Sequence, residues 1–247
     1  MQLGYRIVRP SDVGTQPLKL AQIPLWRAAT WGVAEGDQAV REAIEIATTC
    51  NELGIRTVFH PLEYPLTGKQ AKQTLGVMRR LAAASDLGII IHDEGGAGGR
   101  RLSPAEEAQF EENLFALSEL CPVSVENSFN SGDATWFWER FVVHAPKSVS
   151  ITIDIGHLES ADIDSISYID TMPERLAGRV SFVHMHHTAE ERYGIKDHWP
   201  LVPGCREIAA LKVLMKRKKG LQVILELDAT ETGMGQSIEL LKELQKP

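Results

Sequence analysis

Six apolar runs in this chain end in a group that can hold a metal or move a proton. His60 closes IRTVFH, His92 closes GIIIH, Glu126 closes VSVE and Asp154 closes ITID. His184 and His186 lie in VSFVHMH, and Glu226 lies in VILEL. The fullest of these stretches spans residues 149–160, VSITIDIGHLES, where His157 follows Asp154 by three positions across a glycine. Period-two alternation puts Val58 with His60, Ser124 with Glu126, Thr152 with Asp154 and Ile224 with Glu226 on shared faces. A lone strand-end carboxylate is ordinarily a cap or a loop tie, and a lone strand histidine a hydrogen-bonded core residue. Six runs that end alike call for a common cause. Several charges buried together cost many kcal/mol unless a cation or protons compensate them. A divalent cation is the simplest compensation, and mixed imidazole and carboxylate donors suit Zn, Mn, Fe or Co.

Bringing these groups together requires strands that share an end. Strands are expected at residues 5–9, 55–60, 88–92, 122–126, 149–154, 180–186 and 221–227, with one more unplaced in the Pro- and Trp-containing stretch 11–36. Helices are expected between them. At 37–51 the apolar residues Val40, Ile44 and Ala47 recur at helical spacing, and Gly54 is placed to end the helix. Ser103, Pro104 and Glu106 spell a capped start for a helix over 103–120. Further helices are expected at 67–84, 133–143 (with Asp133 as cap), 205–218 and 237–244. Alternating strands and helices imply parallel βαβ units. Seven strands and an eighth unplaced one point to a single (β/α)8 TIM barrel, with residues 1–247 as one domain. The strand ends then open on one mouth. An open doubly wound sheet is the weaker alternative, since neither a GxGxxG nor a P-loop follows an early strand. GGAGG at 95–99 has neither spacing and reads as a loop.

Composition narrows the function. The net charge of −7 argues against a duplex-binding surface, which needs a basic stripe. The one basic run, Lys216 to Lys219, falls at a helix C-terminus, where cations suit the dipole. No apolar run reaches the roughly 18 residues of a membrane span, and the N-terminus lacks a signal-peptide pattern. Cys50, Cys121 and Cys205 are odd in number and scattered, which points to a reducing cytoplasm rather than a disulfide framework. No G-x-S-x-G elbow favours serine chemistry.

In the order VSVENS, ITIDIGH, VHMHH, DHWPLVPG and ILEL, the chain resembles the xylose isomerase-like barrels, which join sugar isomerases and epimerases with endonuclease IV. The resemblance covers roughly residues 55–230. It implies a divalent metal held by Glu126, Asp154, His184 and Glu226, with Glu126 and Glu226 moving the proton. It implies a substrate or second-metal contact from His157; His186 and His198 are further candidates for substrate contact, as is Trp199, which follows His198 in a loop expected at the mouth and could stack on a sugar. His60 and His92, with a bridging Glu126, match a second metal pair of endonuclease IV. Two departures stand out: His187 falls where the family usually has aspartate, and Lys196 replaces the aspartate of an Asp-x-His motif. Trp26, Trp31, Trp136 and Trp138 are further candidates for a sugar-stacking wall, and Arg192 or Lys196 for a phosphate contact.

The implied activity is metal-dependent isomerisation or epimerisation of a sugar or sugar phosphate, by proton transfer beside a carbonyl. An endonuclease IV-like phosphodiesterase, or another metal-assisted reaction, is the alternative. The expected partner is a small molecule rather than nucleic acid or membrane, and a homo-oligomer is compatible with the sequence. One test follows from the ligand assignment. His184→Ala is expected to abolish metal retention, measured by elemental mass spectrometry, and activity with it. His144→Ala, outside every strand-end motif, should leave both within about twofold, and equal losses in the two variants would sink the assignment.

Overall fold

The computed structural model describes residues 1–26, 36–95, 101–128, 134–188, 197–228 and 231–246. Eight parallel strands close a barrel in sequence order. They are β1 (Gln2–Arg6), β2 (Leu20–Trp26), β3 (Arg56–Leu62), β4 (Ile89–His92), β5 (Val123–Glu126), β6 (Val149–Asp154), β7 (Val180–Met185) and β8 (Gln222–Leu225). Pairing of β1 with β8, Gln2 opposite Gln222 through Tyr5 opposite Leu225, closes the ring. The strand left unplaced by the sequence is β2. Its partner β3 runs beside it in unbroken register from Leu20–Arg56 to Trp26–Leu62.

Alternation sorts the side chains. Leu20, Val58, Ile90, Phe182 and Ile224 form a small apolar cluster of their own, separate from the main core between sheet and helices. This is the plug of the barrel. Gly4 belongs to it as well, because a Cβ there would lie 2.6 Å from the Leu20 side chain. Ser124 and Thr152 complete it, with the Thr152 hydroxyl donating to Ser124 Oγ at 2.6 Å. Two residues further along each strand stand Arg6, Gln22, His60, His92, Glu126, Asp154, His184 and Glu226. Period two thus turns one apolar layer into one polar ring at the C-terminal strand ends.

The helices among the described residues are α1 (Gly36–Glu52), α2 (Ala71–Ala82), α3 (Pro104–Ser118), α4 (Ala134–Phe141), α5 (Ile155–Ser160), α6 (Ser165–Thr171), α7 (Glu174–Ala177), α8 (Arg206–Arg217) and α9 (Glu231–Glu243). The capping box of α3 forms: Ser103 Oγ accepts from the Glu106 N–H, and Glu106 accepts from the Ser103 N–H at 2.8 Å. Behind β5, Phe110, Phe137 and Phe141 pack ring on ring, with centroids 4.6–4.9 Å apart. Trp138 is fully buried there, and its indole donates to the Val125 carbonyl at 3.0 Å.

Several expectations shift. The first strand lies at Gln2–Arg6 rather than 5–9, because its ladder with β8 starts at Gln2 and a 3-10 turn begins at Pro10. The second helix starts at Ala71 rather than 67, since Gly68 has φ +73°, outside the helical region. The last helix begins at Glu231, two turns before the expected 237. Residues 155–179, unassigned from sequence, hold the short α5, α6 and α7. Asp133 and most of the 95–99 loop lie outside the described residues. No helix among the described residues is long and apolar enough to cross a membrane. Cys50, Cys121 and Cys205 are free and buried.

Two glycines separate backbone strain from steric overlap. Gly54 and Gly88 both have positive φ, +66° and +92°. A Cβ on Gly54 meets nothing within 4 Å, whereas one on Gly88 would lie 1.9 Å from the Pro122 carbonyl oxygen. Gly54→Ala should cost about 1 kcal/mol. Gly88→Ala should cost at least about 3 kcal/mol, since backbone on β4 or β5 must move. Denaturant midpoints of the two variants check this, and equal shifts would contradict it.

Candidate metal centre

Strand alternation brings Glu126, Asp154, His184 and Glu226 together from four strand ends, with ligand-capable atoms within 4.8 Å of one another. All four are buried. Asp154 and Glu226 each have one oxygen held by a protein donor and the other near His184 Nδ1, whereas Glu126 meets His184 Nδ1 with one oxygen and faces His60 and His92 with the other. Glu126 Oε1 lies 2.9 Å from His184 Nδ1, while its Oε2 has no hydrogen-bond partner among the described residues. Asp154 Oδ1 caps α5 by accepting the His157 N–H at 2.7 Å and lies 3.1 Å from His186 Nε2. Its Oδ2 is left without a partner among the described residues, 3.8 Å from His184 Nδ1. Glu226 Oε1 takes the side-chain amide of Gln22, and Oε2 sits 3.6 Å from His184 Nδ1. Buried polar atoms left unsatisfied in this way are costly unless something else pairs with them. The donor set fits a divalent cation in number and chemistry.

Backbone anchoring fixes the ring. The Asn127 side-chain amide donates to the Asp154 carbonyl at 2.9 Å, and its Oδ1 accepts the Asp154 N–H at 2.8 Å. This clamp joins the ends of β5 and β6. Outer partners of this kind orient ligands and hold their ionisation. Gln22, Asn127 and Arg6 were not picked out from the sequence. Their signal was positional: Asn127 directly follows Glu126, and Gln22 and Arg6 share strand parity with the ring.

A second group adjoins the first. His60 Nε2 and His92 Nε2 are 3.2 Å apart, and Glu126 Oε2 lies 3.4 Å from His60 Nδ1 and 3.7 Å from His92 Nε2. His60, His92 and Glu126 together could hold a metal ion. A third group, His157, His186 and His198, flanks Asp154. His198 has φ 58° and stacks on His186, with centroids 4.5 Å apart. Its ring lies 3.1 Å from Asp197 Oδ1 and 3.7 Å from Glu226 Oε2.

The substrate-contact expectations divide. His157 and His198 line a cavity of about 810 Å³ together with His60, His92 and Glu226. His186 does not reach it. That ring is fully buried; its Nδ1 accepts the His198 N–H at 2.9 Å, and its Nε2 faces Asp154. His186 therefore braces Asp154 and the His198 loop. It fits only because residue 156 is glycine, where a Cβ would lie 2.1 Å from the imidazole. Trp199 pairs through its backbone with His187, and Trp26 rather than Trp199 lines the cavity. Trp136 stacks under Arg101, 4.8 Å from the centroid, and Trp138 is core. Trp31, Arg192 and Lys196 lie outside the described residues. His187, at the family's aspartate position, is held by Glu207 at 3.0 Å.

Charge is distributed unevenly. Burial pushes the Glu126 carboxyl up to about 8, against the pull of His184. Burial opposes a charge on His184, but Glu126 and Glu226 outweigh it and raise the imidazole to about 9. Burial also opposes ionisation of Glu226 and Asp154. His184, His198, His60 and Arg6 hold Glu226 well below the usual range, and His157, His186 and His184 do the same for Asp154. Burial and neighbouring imidazoles depress His60 and bring His92 to about 4, so both are neutral near pH 7. Burial raises all three thiols to about 11, which removes them as nucleophiles near neutrality.

No family model and no curated protein matches the chain. Solved structures do. A D-tagatose 3-epimerase-like protein superposes with a TM-score of 0.71 at 16% identity, over 99% of this chain and 97% of its own. The IolI protein with a bound zinc atom superposes with a TM-score of 0.66 at 11% identity, over 99% and 96%. A fusion of a xylose isomerase-like TIM barrel with 4-hydroxyphenylpyruvate dioxygenase matches with a TM-score of 0.64 at 14% identity, over 99% of this chain and 42% of its own. The closed (β/α)8 fold of this chain is thus similar to that of these structures, among them a xylose isomerase-like TIM barrel. At such identities the likeness is one of fold, and the chemistry of this barrel must be argued from its own ring of side chains.

The raised Glu126 and His184 set the sign of a pH effect. Burial raises Glu126 and its acidic neighbours raise His184, so this hydrogen-bonded pair keeps a proton near neutrality that a metal must displace. Affinity for Zn or Mn is therefore expected to rise between pH 6 and 9, with proton release that shrinks as pH rises. Calorimetry in two buffers of different ionisation enthalpy reads both quantities. A pH-independent affinity would show that these ligands carry no protons to lose.

Proposed function

We propose that this chain is a metal-dependent isomerase or epimerase of a sugar or sugar phosphate. The observation that carries this reading is the convergence of Glu126, Asp154, His184 and Glu226, four buried donors beside a cavity of about 810 Å³. That volume falls within the roughly 300–1,000 Å³ of small-molecule sites. A divalent cation bound to the four would supply Lewis acidity that polarises a carbonyl and acidifies the C–H beside it. The rest falls to the chain. Glu126 closes β5 and Glu226 follows β8, so the two carboxyls enter one site from different strands. Two carboxyls in one site can take a proton from a carbon and return it. His157 and His198 line the cavity and can orient hydroxyls. The fold shared with a D-tagatose 3-epimerase-like protein and with zinc-containing IolI supports the reading.

One observation favours a second reading. The His60–His92–Glu126 group beside the first offers a two-metal arrangement, which suits a phosphodiesterase better than an isomerase.

The two readings part in one experiment. In D2O, metal-loaded protein is expected to introduce deuterium at the carbon beside the carbonyl of a ketose or ketose phosphate, detected by NMR. Glu226→Gln should slow that exchange about 100- to 10,000-fold. Turnover without deuterium incorporation would eliminate solvent-exposed proton transfer. Cleavage of abasic duplex above a Glu126→Ala control, with two or three zinc per chain, would put the phosphodiesterase in its place.

A further inference from the structure

Arg6 is the one fixed cation in the polar ring; its charge helps keep Glu226 ionised, but that leaves its hydrogen-bonding capacity largely unspent. Its Cα partner on β2 is Gln22, and the β1–β8 register, extended by one residue, sets it beside Glu226. Its side chain is 8% exposed, yet it lines the cavity. Its Nε is buried without a hydrogen-bond partner among the described residues. The glutamate beside it does not use the guanidinium: Glu226 Oε1 takes the Gln22 amide instead. The partner Arg6 does have is Asp228, on the loop after β8, whose side chain is 58% exposed. The Asp228 N–H is anchored on the His198 carbonyl at 3.0 Å, so its backbone is fixed while its carboxylate stands in solvent.

A buried guanidinium with an unpaired Nε–H, and with Nη2 held by an exposed carboxylate, can grip a planar or tetrahedral anion with two parallel hydrogen bonds once that carboxylate leaves. An exposed carboxylate is a weak competitor, because water screens it and solvates it once displaced. We infer that Arg6 anchors an anionic group of the substrate, a phosphate monoester or a carboxylate, which replaces Asp228 on the guanidinium. The identity of the remaining substrate rests on the carbohydrate reading above; the anion site does not. Neutral sugars are then poor ligands, and the cavity orders its substrate between the metal ligands and Arg6.

The test is calorimetric titration of metal-loaded protein, at fixed ionic strength, with D-fructose, D-fructose 6-phosphate and D-gluconate. At least one anionic sugar should bind ten-fold or more tighter than fructose, and which one does so separates phosphate from carboxylate. Arg6→Gln should weaken the anionic sugar ten- to one-hundred-fold and leave fructose within about twofold. Asp228→Asn, at an exposed site, should tighten anion binding several-fold, a change that a folding defect does not produce. Equal affinities for neutral and anionic sugars, or equal losses for both in Arg6→Gln, overturn the inference. If no sugar binds, inorganic phosphate decides. Binding to wild type but not to Arg6→Gln leaves the anion site standing while the carbohydrate reading falls, and no difference removes the anion site.

Discussion

Three carboxylates share one buried space at the end of this barrel, and their mutual repulsion is the constraint on which the rest is built. The barrel does not neutralise them one by one. It fixes one oxygen of Asp154 on its own helix N-terminus and one of Glu226 on Gln22, leaves the others near His184, and sets Glu126 between His184 and the His60–His92 pair. The tethered oxygens remove rotational freedom, and the converging ones make the space attractive to a cation. Low dielectric makes both effects larger than they are in water.

The apolar plug beneath serves the same end. Leu20, Val58, Ile90, Phe182 and Ile224 fill the barrel directly below the ring, and Gly4 lets Leu20 approach β1. Close packing there sets the height and spread of the strand ends, so the geometry of the polar ring is inherited from the core rather than from loops. Asp154 shows how economically this is done. One residue ends β6, caps α5 and offers an oxygen to the centre.

Much of this was legible in the chain because period two is rigid. Once a strand is placed, the side chain two residues after an apolar interior position must face the same interior, so His60, Glu126, Asp154 and Glu226 could be read together. Arg6 was missed for the same reason inverted: a first strand expected at residues 5–9 puts Arg6 near its start, whereas the ladder with β8 makes it the last residue of β1. Gln22 was hidden because β2 carries Pro24 and no alternation of its own; its register comes from β3. The helices α5 to α7, of four to seven residues, are too short for helical periodicity to accumulate. His186 looked like a second reaching histidine because spacing does not reveal which ring nitrogen meets a backbone N–H and which a carboxylate.

The packing of Gly156 under the His186 ring ties two distant positions into one volume. The imidazole occupies the space that a side chain at 156 would need, so residue 156 cannot gain a side chain while histidine stands at 186. A homologous chain with a small residue at 186 gains room for alanine or serine at 156, and one that keeps histidine must keep glycine. The pair should therefore covary across descendants of this barrel, marking off a lineage in which Asp154 is braced by imidazole from lineages that brace it by some other means.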